Sequence, residues 1–567
     1  MITYKCKNCD GLETETSVCP VCGQRTELYS SVIYYCHHCN APSFYETCPV
    51  CGGKCNPIGT DVRPVFARER LLIECLEGNP MKYAGKAVWN ACNNTYYIDG
   101  EKHSVSFLKL KENKAEQVIK LLEQYENANK SYVDHDFENK GINSFLAVND
   151  VRLNSITDEA LNYIRTIANG FDATSMFVSF SGGKDSSVTS NLVRRALGTE
   201  RIIHIYGDTT LEYPESKTYI QEFRTRFPNT PLLVAKNKDQ KFDDLCEVVG
   251  PPSRVMRWCC TVFKTGAITK KIEQTFQGRT RILSFQGIRR NESLSRSKYD
   301  RDSRNSKIAK QVSSSPIIDW LDFDVWLYLL ANKLPFNNAY RQGFSRVGCW
   351  CCPNNSGWSE YLSSIYRNEE YRKFHQRLYS FAQKVGKPDW KEYIDSGKWK
   401  ARQGGNGLDY SKNAVVEFKP CAIDETLYTL FQPFGIINKE LGNKRLNEVY
   451  VLDRKTGLPL LKLSGKIGTT LLRVSVVNQT GHFKSPKIAQ SLIRNQITKF
   501  QTCIGCTYCQ SVCRFNALHV RNADPGNVSH DSIIYTIDPT KCVGCLECVT
   551  HFESGCYRKK VLRIKKG

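Results

Sequence analysis

No run of about 18 apolar residues occurs in the 567-residue chain, so no membrane span is expected. The opening residues, MITYKCKNCD, lack the apolar segment of a secretory signal, which implies a cytoplasmic protein. The GxxxxGK[ST] phosphate loop is also missing, which excludes the ordinary nucleotide-driven motors. Acidic residues are in deficit: 57 Asp and Glu face 79 Lys and Arg, a net charge of +22. That balance attracts polyanions, nucleic acid first, with nucleotides and sulfur oxyanions as further candidates. Solvated basic faces raise such totals without any specific partner.

Cysteine is in excess, with 26 residues, most of them in CxxC pairs. Without a secretory signal, such pairs point to metal thiolate sites in a reducing compartment instead of disulfides. Residues 1–56 hold a tandem repeat, Cys6, Cys9, Cys19 and Cys22 followed by Cys36, Cys39, Cys48 and Cys51. Four soft ligands on two tight knuckles suit a closed tetrahedral zinc site in each repeat, a zinc ribbon. Rubredoxin-like iron is the chemical alternative. His37, His38 and Cys55 are left over and read as surface or local packing.

Further along, the chain alternates strand-like and helical runs, as in TSMFVSF, RIIHIYGDTT, PLLVAKN and RILSFQGIRR. This period implies parallel βαβ units in a doubly wound sheet, within a multidomain α/β protein. The expected divisions are zinc ribbons at 1–56, an accessory α+β domain at 57–155 and the α/β domain with a helical extension at 156–400. A β-rich connecting domain at 401–495 and a cysteine-rich domain at 496–567 follow. SITDEALNYIRTIANG reads as a helix with a Thr or Asp cap ahead of the first strand, and Cys75 and Cys92 read as core. The basic stretches 254–310 and 340–402 interleave Trp258, Tyr340, Phe344, Trp350 and Tyr361, either as a nucleic-acid surface or as buried rings.

SFSGGKDSSV follows an apolar strand and opens a helix, so its free backbone N–H groups make a nest for an anion. Gly182 and Gly183 allow close approach, and Ser181, Lys184, Ser186 and Ser187 add donors. Asp185 would be repelled by a phosphate unless it holds Mg²⁺ or a ribose hydroxyl. The segment resembles the PP-loop of ATP pyrophosphatases. GDTTLEYPES with Asp208, QGIRRNESLSR with Arg289, Arg290 and Arg296, and the stretch 316–352 extend the resemblance to the phosphoadenosine phosphosulfate (PAPS) reductase family. The resemblance implies an adenine nucleotide site built from these residues, with Lys184 and Asp185 as catalytic groups. It also implies one 4Fe–4S cluster on Cys259, Cys260, Cys349 and Cys352, with Lys264 nearby. Cys351 is a substitute ligand, a free thiol able to carry sulfur beside Arg346 or Lys264, or an inert buried thiol.

At the C-terminal end, Cys503, Cys506, Cys509 and Cys513 are spaced C-x2-C-x2-C-x3-C, and Cys542, Cys545, Cys548 and Cys556 repeat this with a longer last gap. The pattern resembles a two-cluster bacterial ferredoxin, in which each fourth cysteine serves the other cluster. By that rule Cys556 completes the first cluster and Cys513 the second. The inventory is then about two zinc ions and about three 4Fe–4S clusters per chain, with ATP or another adenine nucleotide and Mg²⁺.

Sulfonucleotide reductases commonly loosen the SGGxDS loop and carry a nucleophilic cysteine in a C-terminal Glu-Cys-Gly context. Here the loop is intact and that cysteine is absent. This shifts weight towards ATP-dependent sulfur transfer to a nucleic-acid or related acceptor such as DNA or tRNA, with electrons from the fused ferredoxin-like domain and a cysteine desulfurase or an external electron donor as partner. The alternatives are a sulfonucleotide reductase that releases sulfite, and a nucleotide-sensing iron–sulfur regulator that turns nothing over.

Overall fold

The apolar run ahead of SGGKDSS forms the strand Met176–Phe180, four of whose five residues are buried, in the middle of a six-stranded sheet. This computed structural model describes residues 2–565 outside positions 7, 16–17, 25, 92–94, 106–114, 129–140, 294–295, 298, 304–309, 388, 402–415, 418–420, 525–531, 553–554 and 558–563. Cys92 therefore lies outside the described residues, as does most of the basic tail.

The strands run in the order Leu232–Lys236, Ile203–Asp208, Met176–Phe180, Ile282–Gln286, Gln311–Ser314 and Asp302–Ser303. The first five are parallel and the last is antiparallel. The chain winds outward from Met176–Phe180 on one side and then returns to build Ile282–Gln286 on the other. The reversal opens a crevice beyond the carboxyl ends of these two strands, where ligands bind in doubly wound sheets. Helix Lys184–Leu197 follows the first strand and ends on Gly198 at φ 62°, a left-handed stop that glycine takes without steric cost. Gly287 allows the second wall of the crevice to come close: a Cβ there would sit 2.6 Å from the carbonyl carbon of Asp185.

The zinc-ribbon segments fold as two three-stranded sheets. Ile33, Tyr35, Cys36 and Cys48 of the second share one hydrophobic core with Val178 and Leu192 of the central domain. The helix before the first strand spans Asp150–Ala168, starting ahead of the SITDEALN cap expected from sequence. The neighbouring Asn149 side chain is taken up in long-range bonds, accepting from Phe44 N–H and donating to the carbonyls of Pro42 and Phe145.

Helices Asp322–Ala331, Gly357–Tyr366, Asn368–Lys384 and Trp390–Asp395 extend the central domain. Trp258, Tyr340 and Phe344 are at most 3% exposed, so these rings of the basic stretches are core residues and not a nucleic-acid surface. A four-stranded antiparallel sheet follows, from Ile436–Asn438 to Arg473–Val476, then helix Pro486–Thr502 and the cysteine-rich domain. Among the described residues no helix is long and apolar enough to cross a membrane.

Candidate active site

A chamber of about 1260 Å³ lies beyond the strand ends, lined by the SGGKDSS turn, the GIRRNE segment and, unexpectedly, Asp61 and Arg63 from the N-terminal part of the chain. Its floor is a buried charge network. Lys184 Nζ lies 3.2 Å from Asp185 Oδ2 and 3.0 Å from Asp322 Oδ1. Arg289 pairs with the other oxygen of Asp185 and, at 2.8 Å, with Asp322. Burial pushes the Asp185 carboxyl up, but Arg289 and Lys184 outweigh it and hold the group well below the usual carboxylate range. Burial works against the Lys184 ammonium too, and Asp185 and Asp322 overcome it. Both oxygens of Asp185 are thus engaged, which leaves the expected Mg²⁺ role without a free carboxylate in this state.

Side chains engage several N–H groups of the turn itself. Lys184 N–H donates to the Tyr340 hydroxyl at 3.0 Å, and Ser186 Oγ donates to the Gly183 carbonyl while accepting from Ser181 N–H. Asp61, 7% exposed, accepts from Asp322 N–H and Phe323 N–H, which have no partner within their own helix, and from Asn291. Arg296 pairs with Glu292 and lies close enough to Arg346 for the two cations to repel. Burial and Arg346 together hold the Arg296 guanidinium below its ordinary value. Two cations held together on a chamber wall are suited to an oxyanion. Tyr206, 5% exposed, also lines the chamber, and its hydroxyl has no partner among the described residues.

Not every residue expected at the nucleotide lies there. Asp208 pairs with Lys236 at 3.1 Å and caps Thr210 N–H, off the chamber wall. Arg290 turns outward to Asp319 and the Tyr299 carbonyl. Ser187 bonds the Gly183 carbonyl and the Tyr219 hydroxyl inside the fold, and Gly182 supplies a φ of 72° to the turn. Asp61 and Asp322 are residues that motif reading did not single out, and Tyr340 stood out only as an aromatic of a basic stretch.

Cys259 begins a helical segment that widens into an i→i+5 turn at Cys260–Thr265, a distortion that recurs at functional sites. It faces Cys260, Cys349 and Cys351, and Cys352 faces Cys260. Cys349 lines the chamber and accepts from, or donates to, Thr209 Oγ1 at 3.4 Å. Cys351 does not line it. It is 7% exposed in an apolar core, and burial first, then Cys349 and Cys246, push its thiol well up. That placement opposes the sulfur-carrying thiolate expected from sequence.

In the C-terminal domain Cys503, Cys506 and Cys509 each face Cys556, while Cys548 faces Cys513 and Cys545. Cys548 also faces Cys509 of the first run. At the other end, Cys6, Cys9, Cys19 and Cys22 have all sulfurs within 4.8 Å of one another, as do Cys36, Cys39, Cys48 and Cys51. A tetrahedral ion with bonds of about 2.3 Å needs sulfurs about 3.8 Å apart, so the donor sets fit zinc.

Known proteins agree with this layout. A phosphoadenosine phosphosulfate reductase domain matches residues 175–355, and a 4Fe-4S dicluster domain matches residues 502–551. An uncharacterized protein of Methanocaldococcus jannaschii is 36% identical over 178 residues, 31% of this chain and 36% of that one. An adenosine 5'-phosphosulfate reductase of Oceanobacillus iheyensis is 26% identical over 181 residues, 32% of this chain and 71% of that one. A solved phosphoadenylyl-sulfate (PAPS) reductase from Candida auris aligns at 13% identity with a TM-score of 0.28, over 35% of this chain and 95% of that chain. The chain spans 36% and 40% of the length of two M. jannaschii relatives it matches. It carries a PAPS reductase domain at 175–355 and a 4Fe–4S dicluster domain at 502–551.

Proposed function

We propose that this protein is an enzyme that reduces a sulfonucleotide to sulfite, using electrons from its own C-terminal domain. The observation that carries this reading is the chamber wall. Among the described residues Cys349 is the one cysteine lining it, and Cys349 belongs to a four-cysteine set that docks against the dicluster domain. No described thiol stands there to carry sulfur, and the Thr261–Tyr508 contact would give electrons a path to it. The adenosine 5'-phosphosulfate reductases among the relatives support the same chemistry.

Clusters held by Cys259, Cys260, Cys349 and Cys352, and by the two C-terminal quartets, would supply electrons one at a time. The protein's own groups do the rest. The loop N–H groups, Lys184 and Arg289 would take the nucleotide phosphate, and Arg296, Arg346 and Lys264 the sulfur oxyanion beside Cys349. In the reaction two electrons reach sulfur and become the lone pair of sulfite. The sulfur–oxygen bond breaks with its pair left on the phosphate oxygen, so the nucleotide leaves as a phosphate monoester.

The intact SGGKDSS turn favours a second reading, ATP-dependent sulfur transfer to DNA, tRNA or a related acceptor, with a desulfurase as sulfur source. Product analysis separates the two. Anaerobic incubation with adenosine 5'-phosphosulfate or PAPS and reduced methyl viologen should release sulfite and nucleotide in equal amounts. Pyrophosphate from ATP without any sulfite would overturn the reductive reading.

A further inference from the structure

We propose that the two C-terminal quartets act in series. The Cys503 quartet is the inner one, passing electrons to the Cys259–Cys260 helix across a Tyr508–Thr261 contact, and the Cys542 quartet is the outer one. The proposal rests on the reductive reading for its purpose, but its geometry is independent of the substrate.

Tyr508 lies between Cys506 and Cys509 in sequence, and its hydroxyl is 2.7 Å from Thr261 Oγ1, the residue after Cys260. The thiols of Cys506, Cys260 and Cys259 all act on that hydroxyl, so it stands between the two cysteine sets. Its ring stacks on Tyr557 with centroids 4.6 Å apart and planes 3° apart, and Tyr557 follows Cys556, the fourth member of the inner quartet. The same short helix makes two more contacts with the central domain. Gln510 Nε2 donates to Asp239 Oδ2 at 2.9 Å. A Cβ on Gly266 would lie 2.5 Å from the Ser511 carbonyl oxygen, so the close approach depends on glycine.

The Cys542 quartet is placed differently. Cys545 is exposed, and its neighbours Val543 and Phe515 are 56% and 39% exposed. Buried Lys499 joins the two quartets, acting on both Cys509 and Cys548. A one-electron donor of low potential thus meets the outer quartet first, and two passages along the series deliver the two electrons of one turnover.

The test uses the full chain, loaded anaerobically with iron and sulfide, and reduced methyl viologen as donor. Rapid mixing with absorbance and freeze-quench EPR follows each centre, without substrate. In the unaltered protein the Cys259-quartet signal should appear last. In Thr261→Val/Tyr508→Phe, iron content and reduction of the C-terminal centres should be unchanged. Reduction of the Cys259-quartet centre should slow several-fold, because the hydroxyl pair is the direct bridge between the two cysteine sets. Thr261→Val alone gives the same readout if the double variant loses iron. An unchanged rate, or a Cys259-quartet signal that appears before the C-terminal ones, would overturn the proposal. Sulfite is not measured here, so failure of the reductive reading leaves this result standing, and the reverse holds too.

Discussion

Arg289→Met removes one of the two cations from the floor of the chamber. Lys184 and Arg289 pair with Asp185 and Asp322, Asp61 is a third carboxylate acting on Arg289, and Arg289 is 4% exposed. Its loss leaves three carboxylates on one ammonium, and breaking a buried pair in this way costs about 3–5 kcal/mol. In a domain of this size each kcal/mol moves Tm by about 2–4 °C, so a fall of about 10 °C is expected. Adding Asp322→Asn removes one of the carboxylates left without its cation and should recover part of the loss. Adenine nucleotide affinity should not recover, because a charge-assisted contact worth about 10- to 100-fold is gone in both variants. Differential scanning calorimetry and equilibrium dialysis read the two effects separately. If the single variant melts like the parent, or the double variant melts no higher than the single, the charge account of this floor is wrong.

Two other perturbations test different parts of the fold. Cys48→Ser should remove about one zinc per chain and lower the Tm of the central domain, because Cys48 shares a core with Val178 and Leu192. Cys22→Ser, at an exposed thiol of the first ribbon, should lose zinc without that shift, and metal analysis beside calorimetry decides. His204 is buried in the sheet between Ser190 and the Ile202 carbonyl, and burial holds its imidazole down at about 4. The folded state therefore keeps it neutral. Its share of stability is full above about 6.5 and is lost as pH falls from there towards about 4, about 3 kcal/mol in all. Replacing His204 with Phe should flatten the fall of Tm over that window; an equally steep fall would show that another group governs it.

The strands and the loop were legible because their signals are local. TSMFVSF is a run of buried residues bounded by glycines, and the alternation that follows it leaves little choice of sheet. The cysteine sets were legible because knuckle spacing is itself a constraint. Asp61 and Asp322 were not, since a pairing across more than two hundred residues leaves no period in the chain. Nor does a motif say which way a side chain turns at the end of a strand: Asp208 took Lys236 and Arg290 took Asp319, while Arg289, next in sequence, took the chamber floor. The basic stretches left two readings open for a related reason. Trp258, Tyr340 and Phe344 alternate with Lys and Arg because they face the core, and composition alone does not separate that from a stacking surface.

The paired floor of the chamber has a consequence for what can occupy it. Lys184 and Arg289 are satisfied by carboxylates at close range. An incoming anion must exchange partners with Asp185 and Asp322, so a small inorganic ion that reaches one cation gains little. Only a ligand that meets the loop N–H groups, the floor and the Arg296 and Arg346 wall together recovers what the exchange costs. Such a site would hold inorganic phosphate and sulfate weakly and favour an extended ligand of several charges.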